Sequence, residues 1–190
     1  MTNRRFFLFL AFCLPLAPAL AEPVVAAAPA PRVKNATMVY YDVGGTTPAQ
    51  IRERLEARAP RSPDGYPGDV FARWEFRWNW PGYGSSSCTL AQAKVTLRVT
   101  VSFPRWTHPK AAPASLAAAW ARYSLALARH EQGHVNWAIA HRPAVLRAIK
   151  NATCRTANAA ALKQLNLIRK HDVSYDKTTQ HGATQGARFP

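Results

Sequence analysis

The residues with the clearest chemical meaning are His130, Glu131 and His134, which form an HExxH motif inside an alanine-rich, helix-forming stretch. Two histidines four residues apart on a helix point to the same side, so both imidazoles can bind one Zn²⁺ at about 2.0–2.1 Å. The glutamate between them lies beside that face, where it can take a proton from a metal-bound water. The motif therefore predicts the zinc centre of a metallohydrolase, with Glu131 as the general base.

The third ligand of such a centre has to come from outside the motif, because a catalytic zinc needs three protein ligands and an open position for water. The chain contains no Asp or Glu between Glu131 and Asp172. His141 lies about two turns, roughly 10 Å, along the same helix from His134, which is too far to share one ion. The candidates that remain are His108, His171, Asp172, Asp176 and His181.

Strands are predicted in the first half of the chain. Residues 36–43 are β-branched and aromatic and precede two glycines, which indicates a strand and a turn. A short helix can follow, with a threonine as its cap. Residues 72–80 and 94–103 alternate apolar and polar side chains with a period of two, which predicts two half-buried strands. We therefore expect N-terminal antiparallel strands.

Helices are predicted in the second half. Residues 115–140 are alanine-rich and begin with a capping serine, which indicates one helix of about seven turns that carries the motif. Pro143 is expected to start a second helix, over residues 143–149, and a third is expected over residues 156–169. The tail from Val173 to Pro190 is polar and shows no period, so no element is predicted there. Because strands come first and helices second, the predicted fold class is α+β.

The N-terminus has the pattern of a secretory signal peptide. Residues 1–21 contain two arginines, an apolar run over residues 6–16 and small residues around a cleavage site after Ala21. The run is too short for a membrane-spanning helix, which needs about 20 apolar residues. We therefore expect an exported protein, periplasmic or extracellular, without a stable membrane anchor. An Ala/Pro-rich linker over residues 22–35 then leads to a single folded domain over residues 36–190.

Export also decides how the cysteines are interpreted. Cys13 is removed with the signal peptide, which leaves Cys88 and Cys154. Two cysteines in an oxidising compartment most often pair, and neither of these has the CxxC-like spacing of a zinc site. A disulfide between Cys88 and Cys154 is therefore expected.

The composition excludes a disordered chain, since 48% of the residues are hydrophobic. Lys and Arg number 25 against 10 Asp and Glu, and the net charge of +15 favours anionic partners. Arginines alternate with Trp74, Trp78 and Trp80, but a strand with one core face and one solvated face explains that alternation better than base stacking does. We therefore expect no nucleic acid, and an anionic polymer of the cell envelope is the candidate polyanion.

The order of these features resembles a bacterial domain-of-unknown-function family that is described as predicted secreted zinc-dependent proteases. The resemblance covers nearly the whole mature domain, and the HExxH motif is its most specific part. In chain order it rests on Tyr41-x-Val43-x-Gly45, the Trp-rich strand around Trp78, Cys88, Phe103-Pro104-x-Trp106, Trp120-x-x-Tyr123, the motif itself and the tail residues 175–182. The resemblance implies a zincin-like peptidase domain and carries no particular substrate.

Within this resemblance, the tail is where the third zinc ligand is expected. Gly182 lets the backbone approach a metal site closely, which favours His181 as the ligand. Asp176 is the alternative, either as the ligand itself or as the acceptor for the second N–H of a ligand histidine, and His171 is a further alternative. For Tyr175 two roles remain open: packing of its ring, which is the commoner role of a tyrosine, and donation of a hydrogen bond to the tetrahedral oxyanion of peptide hydrolysis.

Two functions follow from these features. The first is a secreted zinc-dependent peptidase, which hydrolyses peptide or protein substrates with one Zn²⁺ and Glu131. The second is a zinc-stabilised, catalytically silent module of the cell envelope, whose basic surface docks on anionic polymers. The intact glutamate favours the enzyme, because a purely structural zinc site needs no base.

Overall fold

A three-stranded sheet and three helices make up the part of the chain that the computed structural model describes, namely residues 29–59, 71–107 and 112–190. The predicted signal peptide, residues 22–28 of the predicted linker and the candidate ligand His108 lie outside the described residues. The α+β class is confirmed. In chain order the elements are β1 (Thr37–Val43), α1 (Pro48–Arg58), β2 (Phe71–Asn79), β3 (Lys94–Trp106), α2 (Ala114–Lys150) and α3 (Ala157–Thr179), with short 3-10 turns at Leu90–Gln92 and Ala183–Gln185.

The sheet has β3 at its centre, in the order β1-β3-β2. β2 runs antiparallel to β3, with Trp74 opposite Val99, as the period of two predicted. β1 runs parallel to β3, from Thr37 opposite Thr100 onwards. The expectation that all the N-terminal strands pair antiparallel is therefore wrong for β1. Its connection to β3 contains α1 and β2, and parallel pairing needs a long connection of this kind.

The long helix α2 has 37 residues and runs through Pro143, where the sequence predicted a break between two helices. The proline removes one N–H donor from the helix ladder. The apolar contacts nevertheless continue beyond it, because Val145 and Ile149 are fully buried in a cluster with Ile168 of α3. Tertiary packing here outweighs the local effect of proline.

The second long helix, α3, begins at Ala157 and ends at Thr179, so it reaches well past the predicted end at residue 169. The missing signal has a physical cause. The inward side of its last turns carries the polar side chains of Tyr175, Asp176 and Thr179, while Val173 points outwards and is 70% exposed. A helix that turns a polar face inwards shows no apolar period.

The helices α2 and α3 form an antiparallel hairpin, since His130 contacts Asp176 while His134, further along α2, contacts Asp172, earlier on α3. The predicted disulfide is present: Cys88 and Cys154 join the segment before β3 to the turn of this hairpin. None of the described helices is long and apolar enough to cross a membrane.

Candidate metal centre

Two helices each contribute two side chains, one turn apart, to the same place in the hairpin. α2 contributes His130 and His134, and α3 contributes Asp172 and Asp176. Residues four apart lie on the same side of a helix. In an antiparallel hairpin the two pairs therefore face each other and bring two imidazoles against two carboxylates.

Three of these groups converge on one point. The Oδ1 atom of Asp176 lies 3.1 Å from Nε2 of His130 and 3.0 Å from Nε2 of His134. The three ligand atoms all lie within 4.8 Å of one another. Neighbouring ligand atoms of a tetrahedral zinc site are roughly 3.3 Å apart when the metal–ligand bonds are about 2.0–2.1 Å. Two of the three separations are close to this spacing and the third is at most 4.8 Å, so the three atoms form a group that could hold a metal ion.

The second ring nitrogen of each histidine contacts an acceptor. Nδ1 of His130 lies 3.0 Å from Oε1 of Gln185, and Nδ1 of His134 lies 3.0 Å from Oδ1 of Asp172. Trp74 donates from its indole nitrogen to the other oxygen of Asp172, at 2.9 Å. Acceptors at Nδ1 hold a proton on that nitrogen and leave Nε2 for a metal, which is the usual arrangement around ligand histidines.

The pKa shifts of His134 and Asp176 show that the cluster favours positive charge at its centre. Burial lowers the pKa of His134, but its hydrogen bonds to Asp172 and Asp176 outweigh burial and raise the pKa to about 10. Burial raises the pKa of Asp176, but its contacts with His130 and His134 outweigh that effect and hold the pKa well below its usual range. The carboxylate is therefore ionised at neutral pH and available to a cation.

Glu131, the predicted general base, lies buried beside this cluster and is 6% exposed. Burial raises its pKa to about 7, although the charges of His134 and His130 partly oppose the shift. No hydrogen bond joins its carboxylate to another of the described residues. A buried carboxyl group with a pKa near 7 can accept and release a proton at neutral pH.

The ring of Tyr175 covers one side of the cluster. It stacks on the imidazole of His130, with centroids 5.0 Å apart and planes 9° from parallel, and its hydroxyl accepts a hydrogen bond from the Gln185 amide at 3.0 Å. Gly133 makes this approach feasible, since a Cβ there would lie 2.5 Å from the tyrosine hydroxyl. One of the two variable positions of the HExxH motif, Gly133, thus also shapes the site.

The tail after α3 approaches the centre through its backbone. A Cβ on Gly182 would lie 2.9 Å from Cγ of His130, so the predicted close approach at this glycine is present. The side chain of His181, the ligand favoured from the sequence, is instead 84% exposed, and its Nδ1 lies 3.9 Å from Oδ2 of Asp176. The structure brings together the alternative, Asp176, and the two motif histidines. Because α3 continues to Thr179, Asp176 remains on the face towards α2, whereas His181 lies beyond the helix end.

His171 also lies outside the group of three. Its ring stacks on Trp137 of α2, with centroids 3.6 Å apart, and its Nδ1 is 3.9 Å from Oδ1 of Asp172. Sequence reasoning did not find the roles of Asp172 and Gln185 as partners of the histidines. One signal for the first was present: Asp172 and Asp176 have the same four-residue spacing as the histidines.

Together these features define an α+β protein with a candidate metal centre of two histidines and one aspartate between antiparallel helices. The chain belongs to the family described as "Bacterial protein of unknown function (DUF922)", which matches residues 38–182 and so includes the whole candidate ligand set. No curated protein and no solved structure matches the chain.

Proposed function

We propose that this protein is a zinc-dependent peptidase with a zincin-like use of its HExxH helix. The observation that carries the proposal is the convergence of His130, His134 and Asp176 on one point beside the buried carboxyl group of Glu131. Three protein ligands that leave a position open are typical of catalytic zinc, whereas structural zinc sites have four.

The three converging side chains would hold the ion, and the chemistry that Zn²⁺ supplies when bound is polarisation of the scissile carbonyl and a lowered pKa for water. Asp172 and Gln185 hold the imidazoles by accepting hydrogen bonds at Nδ1. Glu131 takes the proton of the attacking water and can later pass it to the leaving amine.

Tyr175 supports the same proposal. Its hydroxyl oxygen accepts a hydrogen bond from Gln185 at 3.0 Å. Its own O–H makes only a long contact, 3.5 Å, with Oε1 of the same amide, so it can turn to donate to a substrate. A donor aimed at the developing oxyanion stabilises the transition state of acyl transfer. We assign this role to Tyr175 because its ring lies directly against a ligand histidine.

The competing function is a metal-stabilised binding module without hydrolysis. The close cover of His130 by Gly182 and Tyr175 favours it, because structural metal sites are closed. Against it stands Glu131, whose burial disfavours the ionised form. A structural site gains nothing from a buried carboxyl group to which none of the described residues donates a hydrogen bond, whereas a general base needs a carboxyl group with a pKa near neutral.

We further propose that the protein is exported to the periplasm or the medium. Support comes from the disulfide between Cys88 and Cys154, since disulfides persist in oxidising compartments and are rare in the cytosol. The apolar run within residues 1–21 has the length and flanks of a signal peptide.

The test is a comparison of zinc content and hydrolysis in the parent, Glu131→Gln and Glu53→Gln. Glu53 is an exposed residue of α1 and serves as the matched control. We expect about one zinc per chain in all three proteins, and cleavage of an unfolded protein substrate by the parent and the control only. Cleavage by Glu131→Gln at the parent rate would refute the mechanism. A fully zinc-loaded parent that cleaves nothing would support the binding module.

A further inference from the structure

The outer face of the β2–β3 pair lies opposite the metal centre. Trp74 points from β2 towards the helices and reaches Asp172. Successive side chains of a strand point to opposite faces, so its neighbours Arg73 and Glu75 point away from the helices. We call the surface formed by Arg73, Glu75, Arg77, Lys94, Thr96, Arg98, Thr100 and Ser102 the outer sheet face.

Cations recur along the outer sheet face with a regular spacing. The cross-strand pairs are Arg73 with Thr100, Glu75 with Arg98, Arg77 with Thr96, and Asn79 with Lys94. Each pair thus contains one cation, and the cations alternate between the two strands. Neighbouring pairs on one face are roughly 6.8 Å apart, so the four cations form a zigzag line of about 20 Å.

The cations of this line are accessible to solvent, and few acidic side chains neutralise their charge. Arg73, Arg77, Lys94 and Arg98 are all exposed. Glu75 is the one acid of the outer sheet face, and it pairs with Arg77 at 2.7 Å. Two shallow depressions of about 420 and 580 Å³ lie along the line, and the hydroxyl groups of Thr96, Thr100 and Ser102 line them beside the cations. The larger depression is also lined by Phe76, Trp78 and Tyr83.

We propose that the outer sheet face binds a linear polymer that carries repeated phosphate groups and no nucleobases. A regular row of cations complements a chain with regularly repeated charge better than it complements a compact anion. Guanidinium groups donate paired hydrogen bonds to phosphate oxygens, and the adjacent hydroxyls supply further donors. The face and the metal centre lie on opposite sides of the sheet, so the polymer and a peptide can bind at the same time.

The test measures binding of inorganic polyphosphate to the full chain at several salt concentrations. The variant Arg73→Gln/Arg98→Gln removes two cations of the line. The control Arg147→Gln/Lys163→Gln removes two exposed cations of the helical hairpin and changes the net charge equally. We expect the first variant to bind about tenfold more weakly, with a slope of log K against log salt that is smaller by about two. The control should bind like the parent.

A second variant gives an effect of the opposite sign. Glu75→Gln removes the acid that pairs with Arg77, so it should bind polyphosphate more tightly than the parent, which simple loss of folding cannot produce. Zinc content and peptide cleavage should stay unchanged in all these variants, which separates this inference from the proposed function. If the control pair weakened polyphosphate binding as much as the first variant does, net charge alone would explain the binding, and the proposal would be overturned. So would tighter binding of polyglutamate, or of single-stranded DNA, than of polyphosphate.

Discussion

The two helices of the hairpin contribute equally to the candidate metal centre, but the core holds them unequally. On α2 the motif is flanked by Leu127 and Val135, which are buried in the main apolar cluster. On α3 the last buried apolar side chain before the site is that of Ile168, and the next one in the chain is Phe189. The exposed fractions follow the same trend, at 4% for the His130 side chain and 30% for that of Asp176.

This difference separates the roles of the two helices. Apolar burial fixes the histidine pair of α2, with or without an ion. The end of α3 and the tail are held mainly by polar contacts around the site, among them the contact of Gln185 with His130. Metal binding should therefore stabilise the α3 side more than the α2 side, because a ligand stabilises most those parts of a protein that would otherwise open together with its site.

The largest effect on metal binding is expected from Asp176. Asp176→Ala removes one of the three candidate ligand atoms, so zinc affinity should fall by more than the 10–100-fold that is typical for the loss of a partner of a ligand histidine. His181→Ala is the matched control on the exposed tail and should bind zinc like the parent. Titration with a competing chelator measures both. A collapse of affinity in His181→Ala with a small effect in Asp176→Ala would restore the ligand that the sequence favoured.

Removal of the metal should lower the hydrogen-exchange protection of the α3 side much more than that of α2. At a zinc concentration of about 100 times Kd, binding contributes about 2.7 kcal/mol, or roughly 100-fold in protection, to amides that open with the site. We expect that loss over residues 172–186 after chelation, and little change around Leu127 and Val135. Equal loss over both segments would show that the hairpin opens as one unit and would contradict the comparison.

An intermediate effect is expected from the partners of the histidines. Asp172→Asn keeps an oxygen near Nδ1 of His134 but removes the negative charge, and zinc affinity should fall within the 10–100-fold range. Trp74→Phe removes the indole donor to Asp172 and makes the ring smaller but leaves the charge of the carboxylate in place, so its effect should be smaller. Competition with a chelator measures the zinc affinity of both variants and shows which substitution has the larger effect. A larger effect of Trp74→Phe would mean that the tryptophan acts through packing rather than through the carboxylate.

The part of this site that could be predicted is the part that the apolar core holds. The alternation in β2 and β3 and the helix that carries the motif were readable because burial repeats with the period of the element. Asp172 and Asp176 lie on a helix end whose inward face is polar, so no apolar period marked it. The parallel pairing of β1 and the passage of α2 through Pro143 depend on contacts between distant segments, which local sequence does not encode.

The smallest effect is expected from Gly133, which lies in the motif and touches α3. Alanine is a better helix former by about 1 kcal/mol, so Gly133→Ala would stabilise α2 if nothing opposed the methyl group. Its Cβ would, however, lie 2.5 Å from the Tyr175 hydroxyl and 2.7 Å from Cζ of that ring. Tyr175 belongs to the weakly held side, so the ring should move away from His130 while α2 stays in place. We therefore expect an unchanged or slightly higher melting temperature and a zinc affinity lowered only a few-fold.

The control is the same substitution in a Tyr175→Leu background. Tyr175→Leu removes the ring that the new methyl group would contact, so Gly133→Ala should have no effect on zinc affinity there. A large drop in melting temperature for Gly133→Ala, without recovery in the double variant, would show that the α3 side of the hairpin cannot move to accommodate the methyl group.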